Sequence, residues 1–241
     1  MTRNLFEAIL HIFFLIPFAI LLLEKKLKEN FLRIILFGLI YAVYQTVLIL
    51  PKLSETFNFI GGNWNWDGKI YGILFGTICY FLFRKYFSEN NFFTLRQKKE
   101  NFRAVLIVTI ISVLVVAIIA YFTGKDELSL ETLAFQLTMP GIDEEIMFRG
   151  ILFGLLLTAL QEKIVFLGNP AIWLTAILFG FVHALSLEKD YSINFEPIYF
   201  LHTAIGGFIF CWITLRTQSI LLAVLAHGFA NFLAALATMM K

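Results

Sequence analysis

The sequence predicts an all-α, polytopic membrane protein: a transmembrane helix bundle of about eight spans. Of the 241 residues, 59% are hydrophobic and only 15% are charged, and the mean hydropathy is +0.81. Such a chain has too little polar surface to cover a water-soluble globule of this size. Its apolar runs also lack the polar–apolar alternation that a transmembrane β-barrel requires. Helices, which pair their own backbone amides, remain as the way to cross a bilayer.

The apolar windows give the order of the spans. A helix rises about 1.5 Å per residue, so roughly 20 apolar residues cross a hydrocarbon layer of about 30 Å. Eight windows approach that length, and they lie at about 5–23, 31–50, 69–84, 104–122, 131–160, 171–187, 197–214 and 219–238. The fifth is longer than one span and contains Pro140-Gly141. Because proline favours the first turn of a helix, we expect a short helix to about Thr138 and a second helix from about Pro140.

Basic residues are distributed unevenly among the connections between spans. The connections that follow odd-numbered spans hold twelve, and the termini and connections on the other side hold six. By the positive-inside rule the first group faces the cytoplasm, so both termini are predicted to lie outside it. We expect an integral protein of a bacterial cell membrane with no nucleic-acid partner, because topology already explains the basic loops. The larger group is Lys25, Lys26, Lys28, Arg33, Arg84, Lys85, Arg96, Lys98, Lys99, Arg103, Lys163 and Arg216; the smaller is Arg3, Lys52, Lys69, Lys125, Lys189 and Lys241.

The most polar stretch, from Ser88 to Arg103, divides the chain into two predicted parts. Residues 1–100 are expected to form an N-terminal block of three spans that includes this polar cytoplasmic linker. Residues 101–241 are expected to form a core of five spans. Every residue suited to chemistry lies in the core except His11, which we interpret as a polar residue at the end of the first span. The active site is therefore predicted inside the five-span core.

A cluster of ionisable residues interrupts the fifth window, although such groups are costly in a membrane unless they are paired or face a wet cavity. Glu145 and Arg149 are four residues apart with the acid first, which is the favoured order for an intrahelical ion pair. Glu144 is turned about 100° from Glu145 and has no partner nearby in sequence. We expect Glu144 to point into the bundle and to serve as a general acid or base. Asp143 fits the simpler role of a negative charge at a helix start after Pro140.

Two later spans contain further polar side chains. His183 lies in the sixth span, and Phe179 lies one turn earlier on the same face, where its ring can pack against the imidazole. In the eighth span His227 and Asn231 are four residues apart, and two hydrogen-bond donors on one helical face suit an oxyanion site. Both side chains could instead form interhelical hydrogen bonds that only hold the bundle together. His202, four residues before a Gly-Gly pair in the seventh span, is a candidate for indirect support of the site.

In order and spacing, these residues resemble the three signature motifs of the CPBP family of intramembrane proteases. The motifs are Glu144-Glu145-x-x-x-Arg149, Phe179-x-x-x-His183 and His227-x-x-x-Asn231. The family includes the type II CAAX prenyl endopeptidases and the bacterial Abi-type proteins, and the resemblance covers about 104–238. It implies an intramembrane endopeptidase that acts on a membrane-associated peptide or protein, prenylated or not.

The resemblance also implies a role for each motif residue. Glu144 and His183 would activate a water molecule for attack on a peptide carbonyl. His227 and Asn231 would stabilise the resulting oxyanion. The supporting residues would be Glu145, Arg149 and Phe179.

Cofactor and function leave alternatives open at this point. Glu144, His183 and His227 would satisfy a catalytic zinc with an open position for water. No His-Glu-x-x-His pair is present and asparagine is an unusual zinc ligand, so we favour a mechanism without a cofactor. The competing functions are a non-catalytic protein that binds a membrane peptide, such as an immunity protein, and a proton-coupled transporter. The transporter hypothesis lacks the paired broken helices expected of inverted repeats.

Overall fold

The computed structural model describes residues 2–24, 28–87, 90–100, 102–164 and 168–240. Within these ranges the regular structure is helical apart from one small β-hairpin, which confirms the all-α prediction. A π-helical segment, Ile146–Leu152, joins the helix that ends at Glu145 to the helix that begins at Phe153 without a break. The elements are α1 (Thr2–Leu21), α2 (Lys28–Leu48), α3 (Leu50–Leu53), α4 (Trp66–Phe83), α5 (Phe102–Thr123), α6 (Leu130–Glu145), α7 (Phe153–Ala159), α8 (Pro170–Ala184), β1 (Leu185–Leu187), β2 (Ile193–Phe195), α9 (Pro197–Thr217) and α10 (Leu221–Met239).

Five of the described helices are long and apolar enough to cross a membrane: α1, α2, α5, α9 and α10. The chain is therefore an integral membrane protein. The helix α8 is apolar but has only 15 residues. A total of eight spans would require that α4, the α6–α7 unit and α8 also cross the membrane. The number eight therefore stays a prediction.

The end of the sixth apolar window is not helical, so the predicted helix to residue 187 is wrong. The helix α8 stops at Ala184, and the chain turns back as the antiparallel hairpin β1–β2. The turn contains Tyr191 at a φ of 64°. The Glu7 carboxylate on α1 accepts a hydrogen bond from the backbone N–H of Leu187 at 3.0 Å. These contacts satisfy the backbone without a helix, and hydropathy alone does not reveal them.

A buried histidine ties α1 to this hairpin. His11 is only 4% exposed, so its interpretation as a polar residue at a span end is wrong. Its Nε2–H donates to the carbonyl of Leu185 at 2.8 Å, and its Nδ1 accepts from the Tyr41 hydroxyl at 2.6 Å. Both ring nitrogens are thereby satisfied, and His11 serves to join α1, α2 and β1.

The helix α6 continues through Pro140, so the predicted helix boundary there is wrong. An internal proline removes one backbone hydrogen bond, which packed neighbouring helices can tolerate. The adjacent Gly141 explains the packing, because a Cβ at this position would lie 2.8 Å from the Val224 carbonyl oxygen and 2.9 Å from the Gly228 nitrogen. The Pro-Gly pair therefore marks a close crossing of α6 and α10.

The connections gather at two opposite ends of the bundle. At one end, the Glu24 N–H bonds to the Ala159 carbonyl at 3.0 Å, and the Lys98 N–H bonds to the Thr217 carbonyl at 2.8 Å. The connections after α1, α4, α7 and α9 therefore share this end, which we call the basic end; they are the connections for which a cytoplasmic location is predicted. At the other end, Asn63 bonds to Glu131 and Asp126 to Thr238. Three residues of the charge count lie outside the described residues: Lys25, Lys26 and Lys241.

Candidate active site

A fully buried ion pair links α6 to the π-helical segment that follows it. Arg149 Nη1 donates to Glu145 Oε1 at 2.9 Å, as the four-residue spacing predicts, and both side chains are 0% exposed. Arg149 Nη2 donates to the carbonyl of Gly207 on α9 at 3.2 Å. The Phe179 ring on α8 covers the guanidinium, with 4.3 Å from Cζ to the ring centroid. Arg149 thus connects the central helix to α8 and α9. π-helical turns of this kind occur often at functional sites.

The same carboxylate also orients a histidine on α10. Glu145 Oε1 lies 2.8 Å from Nδ1 of His227, so the ring donates its Nδ1–H to the carboxylate. The Phe210 ring stacks on the imidazole with 5.0 Å between the ring centroids. His227 is held in one orientation, with Nε2 as its free atom. The sequence spacing indicated the pair with Arg149 but not this second contact of Glu145.

His183 is oriented by its own helix. Its Nδ1–H donates to the carbonyl of Phe179, one turn earlier, at 2.7 Å. The Phe179 ring packs against the imidazole with 4.6 Å between the centroids, as their spacing predicts. Because a backbone carbonyl can only accept, the proton is on Nδ1 and a neutral ring presents a lone pair at Nε2.

The free atoms of three side chains converge on one point. Glu144 Oε2 lies 3.8 Å from Nε2 of His183 and 4.0 Å from Nε2 of His227. It accepts no hydrogen bond from the described part of the chain. Since each histidine uses its Nδ1–H elsewhere, three groups that accept hydrogen bonds face one another when both rings are neutral. A proton, a water molecule or a cation between them would complete this arrangement.

The other carboxylate oxygen of Glu144 is paired, with a residue remote in sequence. Lys69 Nζ on α4 donates to Glu144 Oε1 at 2.7 Å and to Asp143 Oδ2 at 3.0 Å. Asp143 also accepts a hydrogen bond from the Tyr44 hydroxyl at 2.6 Å. Asp143 lies near the C-terminal end of α6, so its interpretation as a charge at a helix start is wrong.

A glycine allows α4 to approach the carboxylates so closely. A Cβ at Gly72 would overlap the Asp143 carboxylate. With this glycine, the first turns of α4 lie directly against α6 and bring Lys69 to the site. Residues 1–100 therefore contribute Lys69 and Tyr44 to this cluster, and sequence analysis missed both. A charge count offered one signal: the cluster from Asp143 to Arg149 has three carboxylates and a single cation.

A cavity of about 800 Å³ contains this site. It is lined by side chains from α4, α5, α6, α8, α9 and α10, and it includes all four predicted catalytic residues together with Phe179 and Lys69. His202 also lines it, although this side chain is exposed on α9. The predicted catalytic residues in the lining are Glu144, His183, His227 and Asn231.

Gly206 keeps part of this cavity open. No described heavy atom lies within 4 Å of the position that its Cβ would occupy, whereas a Cβ at Gly207 would lie 3.1 Å from Phe179 Cβ and 3.2 Å from Ala176 Cα. We predict that Gly206→Leu folds normally but lowers kcat/KM for a bulky peptide by about tenfold, because the new side chain narrows the cavity. Gly207→Leu is the matched control, and overpacking should destabilise it by about 1–3 kcal/mol. Unchanged kinetics in Gly206→Leu would contradict the prediction.

Comparison with known proteins identifies the core of this arrangement. The family model of Rce1-like type II CAAX prenyl endopeptidases matches residues 126–233. No curated protein and no solved structure matches the chain. The matched segment runs from the connection before α6 into α10, so it contains all three motifs but neither Lys69 nor Tyr44. The resemblance inferred from the motifs is thus confirmed: over residues 126–233, less than half of its length, this membrane protein is similar to the Rce1-like type II CAAX prenyl endopeptidases, a family of intramembrane proteases.

Proposed function

We propose that this protein hydrolyses a peptide bond of a membrane-associated peptide or protein, using a water molecule activated by Glu144 and His183. The observation that carries this proposal is the convergence of Glu144 Oε2 and the two Nε2 atoms at 3.8 and 4.0 Å. Those distances are too long for direct hydrogen bonds but suit a bridging water molecule, which can accept or donate at about 2.8 Å to each side.

The first step is the attack of this water on the substrate carbonyl carbon. Glu144 Oε2 accepts a proton from the water as the new C–O bond forms, and His183 Nε2 accepts the other hydrogen bond of the water and fixes its position. When the tetrahedral intermediate collapses, the C–N bond breaks. Glu144 then returns its proton to the leaving amine. Lys69 on Glu144 Oε1 holds the carboxylate so that Oε2 faces the water.

The oxyanion is stabilised by donors on α10. The Glu145 carboxylate accepts from Nδ1–H of His227 and directs Nε2 into the cavity, and the ring donates from Nε2 to the oxyanion in its imidazolium form. Asn231 lies one turn later on α10 and also lines the cavity, so its amide can supply a second donor. Glu145 and Arg149 would then position His227 as well as supporting the fold.

A zinc ion is less well suited to the observed spacing. Glu144, His183 and His227 are suitable zinc ligands in kind, but tetrahedral ligand atoms at about 2.0–2.1 Å from the metal lie roughly 3.3 Å apart. The observed separations from Glu144 are 3.8 and 4.0 Å. Lys69 already balances the Glu144 charge. No group of three potential ligands among the described residues has the spacing of a metal site. We therefore propose a mechanism without a cofactor.

The proposal is tested with detergent-purified protein and a panel of fluorogenic membrane peptides, prenylated and unprenylated. We expect Glu144→Gln to lower kcat by about 10²- to 10⁴-fold, because the amide cannot accept the proton. Glu188→Gln, which removes an exposed carboxylate on the β-hairpin turn, is the matched control and should retain activity. Wild-type cleavage should persist in a chelator.

Other outcomes would point to other functions. Loss of activity in chelator with rescue by zinc would establish a metalloprotease. Binding of a peptide without cleavage by folded wild type would support a non-catalytic peptide-binding or immunity protein. Proton flux in proteoliposomes without any peptidase activity would support the transporter.

A further inference from the structure

The described lining of the cavity reaches one end of the bundle only. Its outermost lining residues come from connections and helix ends opposite the basic end: Asn65 before α4, Asp126 before α6, Tyr199 in the first turn of α9 and Met239 in the last turn of α10. The lining residues furthest from this mouth lie on α9 and α10, and His227 is the furthest one on α10.

The basic end of the same helices is covered by the linker that follows α4. The Ile220 N–H, in the turn between α9 and α10, donates to the Phe92 carbonyl at 3.1 Å. The Ser219 hydroxyl in that turn bonds to the Thr94 carbonyl. Phe92 is fully buried beneath this contact. The described part of the linker thus lies across the basic end of α9 and α10.

The charge distribution assigns the two ends to the two sides of the membrane. The connections at the basic end carry Lys28, Arg33, Lys163, Arg216 and a row of basic residues along the linker. Lysine and arginine in short loops determine which side stays in the cytoplasm. The basic end is then cytoplasmic, and the mouth of the cavity lies on the opposite face.

We infer that the substrate of this site is a peptide segment exposed on the non-cytoplasmic face of the membrane. This inference rests on the proposed protease function and adds the side from which the scissile bond reaches Glu144. It also narrows the chemical class of the substrate. A CAAX prenyl group anchors a protein to the cytoplasmic leaflet, so a prenylated cytoplasmic tail would meet the basic end of the bundle.

The orientation is tested with the full-length protein in intact bacterial cells, using a membrane-impermeant thiol reagent. Thr203→Cys places a thiol in the cavity, and Glu100→Cys places one in the linker at the basic end. The native Cys79 and Cys211 are buried and give a low background. We expect Thr203→Cys to react in intact cells and Glu100→Cys to react only after the membrane is permeabilised. The reverse pattern would overturn the inference without any reference to activity.

Cleavage is tested with two single-span reporters that place the same peptide segment on either side of the membrane. The segment is one that purified wild type cleaves. We expect loss of the non-cytoplasmic reporter with wild type, no loss with Glu144→Gln, and no cleavage of the cytoplasmic reporter. Cleavage of the cytoplasmic reporter would overturn the inference while leaving the protease function intact. Absence of peptidase activity in purified protein would instead refute the proposed function, and the thiol labelling would still decide the orientation.

Discussion

Replacement of Lys69 by methionine is expected to lower kcat/KM by about 10²-fold, although Lys69 lies outside the segment that matches the protease family. Without the ammonium, Glu144 Oε1 and Asp143 Oδ2 lose a partner that now lies 2.7 and 3.0 Å away. The Glu144 carboxylate can then rotate away from the attacking water, and small misplacements of a catalytic group have effects of this size. The measurement is steady-state cleavage of the best fluorogenic peptide.

The pH profile separates this positioning role from a purely structural one. Glu144 faces Asp143, His183 and His227 besides Lys69. Removal of the lysine therefore leaves the Glu144 carboxylate beside the Asp143 carboxylate with no ammonium group between them. The ascending acid limb of kcat/KM should move to higher pH, because Glu144 is harder to ionise. Lys69→Arg should restore part of the activity. Lys125→Gln, an exposed lysine at the same end of the bundle, is the control, and an unshifted profile in Lys69→Met would refute the role.

Replacement of Arg149 by methionine is expected to destabilise the protein by about 3–5 kcal/mol, because it leaves the buried Glu145 carboxylate without its cation. Both side chains are 0% exposed, so water cannot compensate for the loss. Arg149 also bonds to the Gly207 carbonyl and lies under the Phe179 ring, and the variant loses those contacts to α8 and α9. The measurement is the free energy of unfolding in mixed detergent micelles.

The double variant Glu145→Gln/Arg149→Met shows how much of that loss is electrostatic. Two neutral side chains of similar volume leave no unpaired charge, so we expect most of the stability to return. Activity should stay low, since the neutral glutamine accepts a weaker hydrogen bond from His227 Nδ1 than the carboxylate does and orients the ring less firmly. A double variant as unstable as Arg149→Met would contradict the assignment of the loss to a buried charge.

Short-range patterns accounted for the parts of this molecule that depend on neighbours in sequence. Hydropathy located the helices to within a few residues, and the spacing of Glu145 with Arg149 and of Phe179 with His183 predicted real contacts. Each of these rests on the geometry of a single helix. The ordered motifs also led to the family whose model matches residues 126–233.

Long-range contacts explain what was missed. Lys69 lies 75 residues from Glu144 in the chain, and its charge was counted among the loops because it sits in the first turn of α4. Helix propensity predicted a break at Pro140, but close packing of Gly141 on α10 keeps α6 continuous. The hairpin after Ala184 depends on Glu7, at the other end of the chain. In each case a partner remote in sequence decided the local structure.

The π-helical segment from Ile146 to Leu152 restricts how the chain can change in length. A π turn holds one residue more than an α turn at the same place. Deletion of one residue here would let the segment return to α geometry and would leave the parts before and after it facing nearly as they do now, because the residue removed is the extra one of the π turn. Glu144 lies on one side of the segment and the packing surface of α7 on the other. A single-residue deletion in the segment can therefore keep Glu144 directed at both histidines, whereas a deletion in the regular turns of α7 would rotate the rest of that helix by about 100° relative to Glu144.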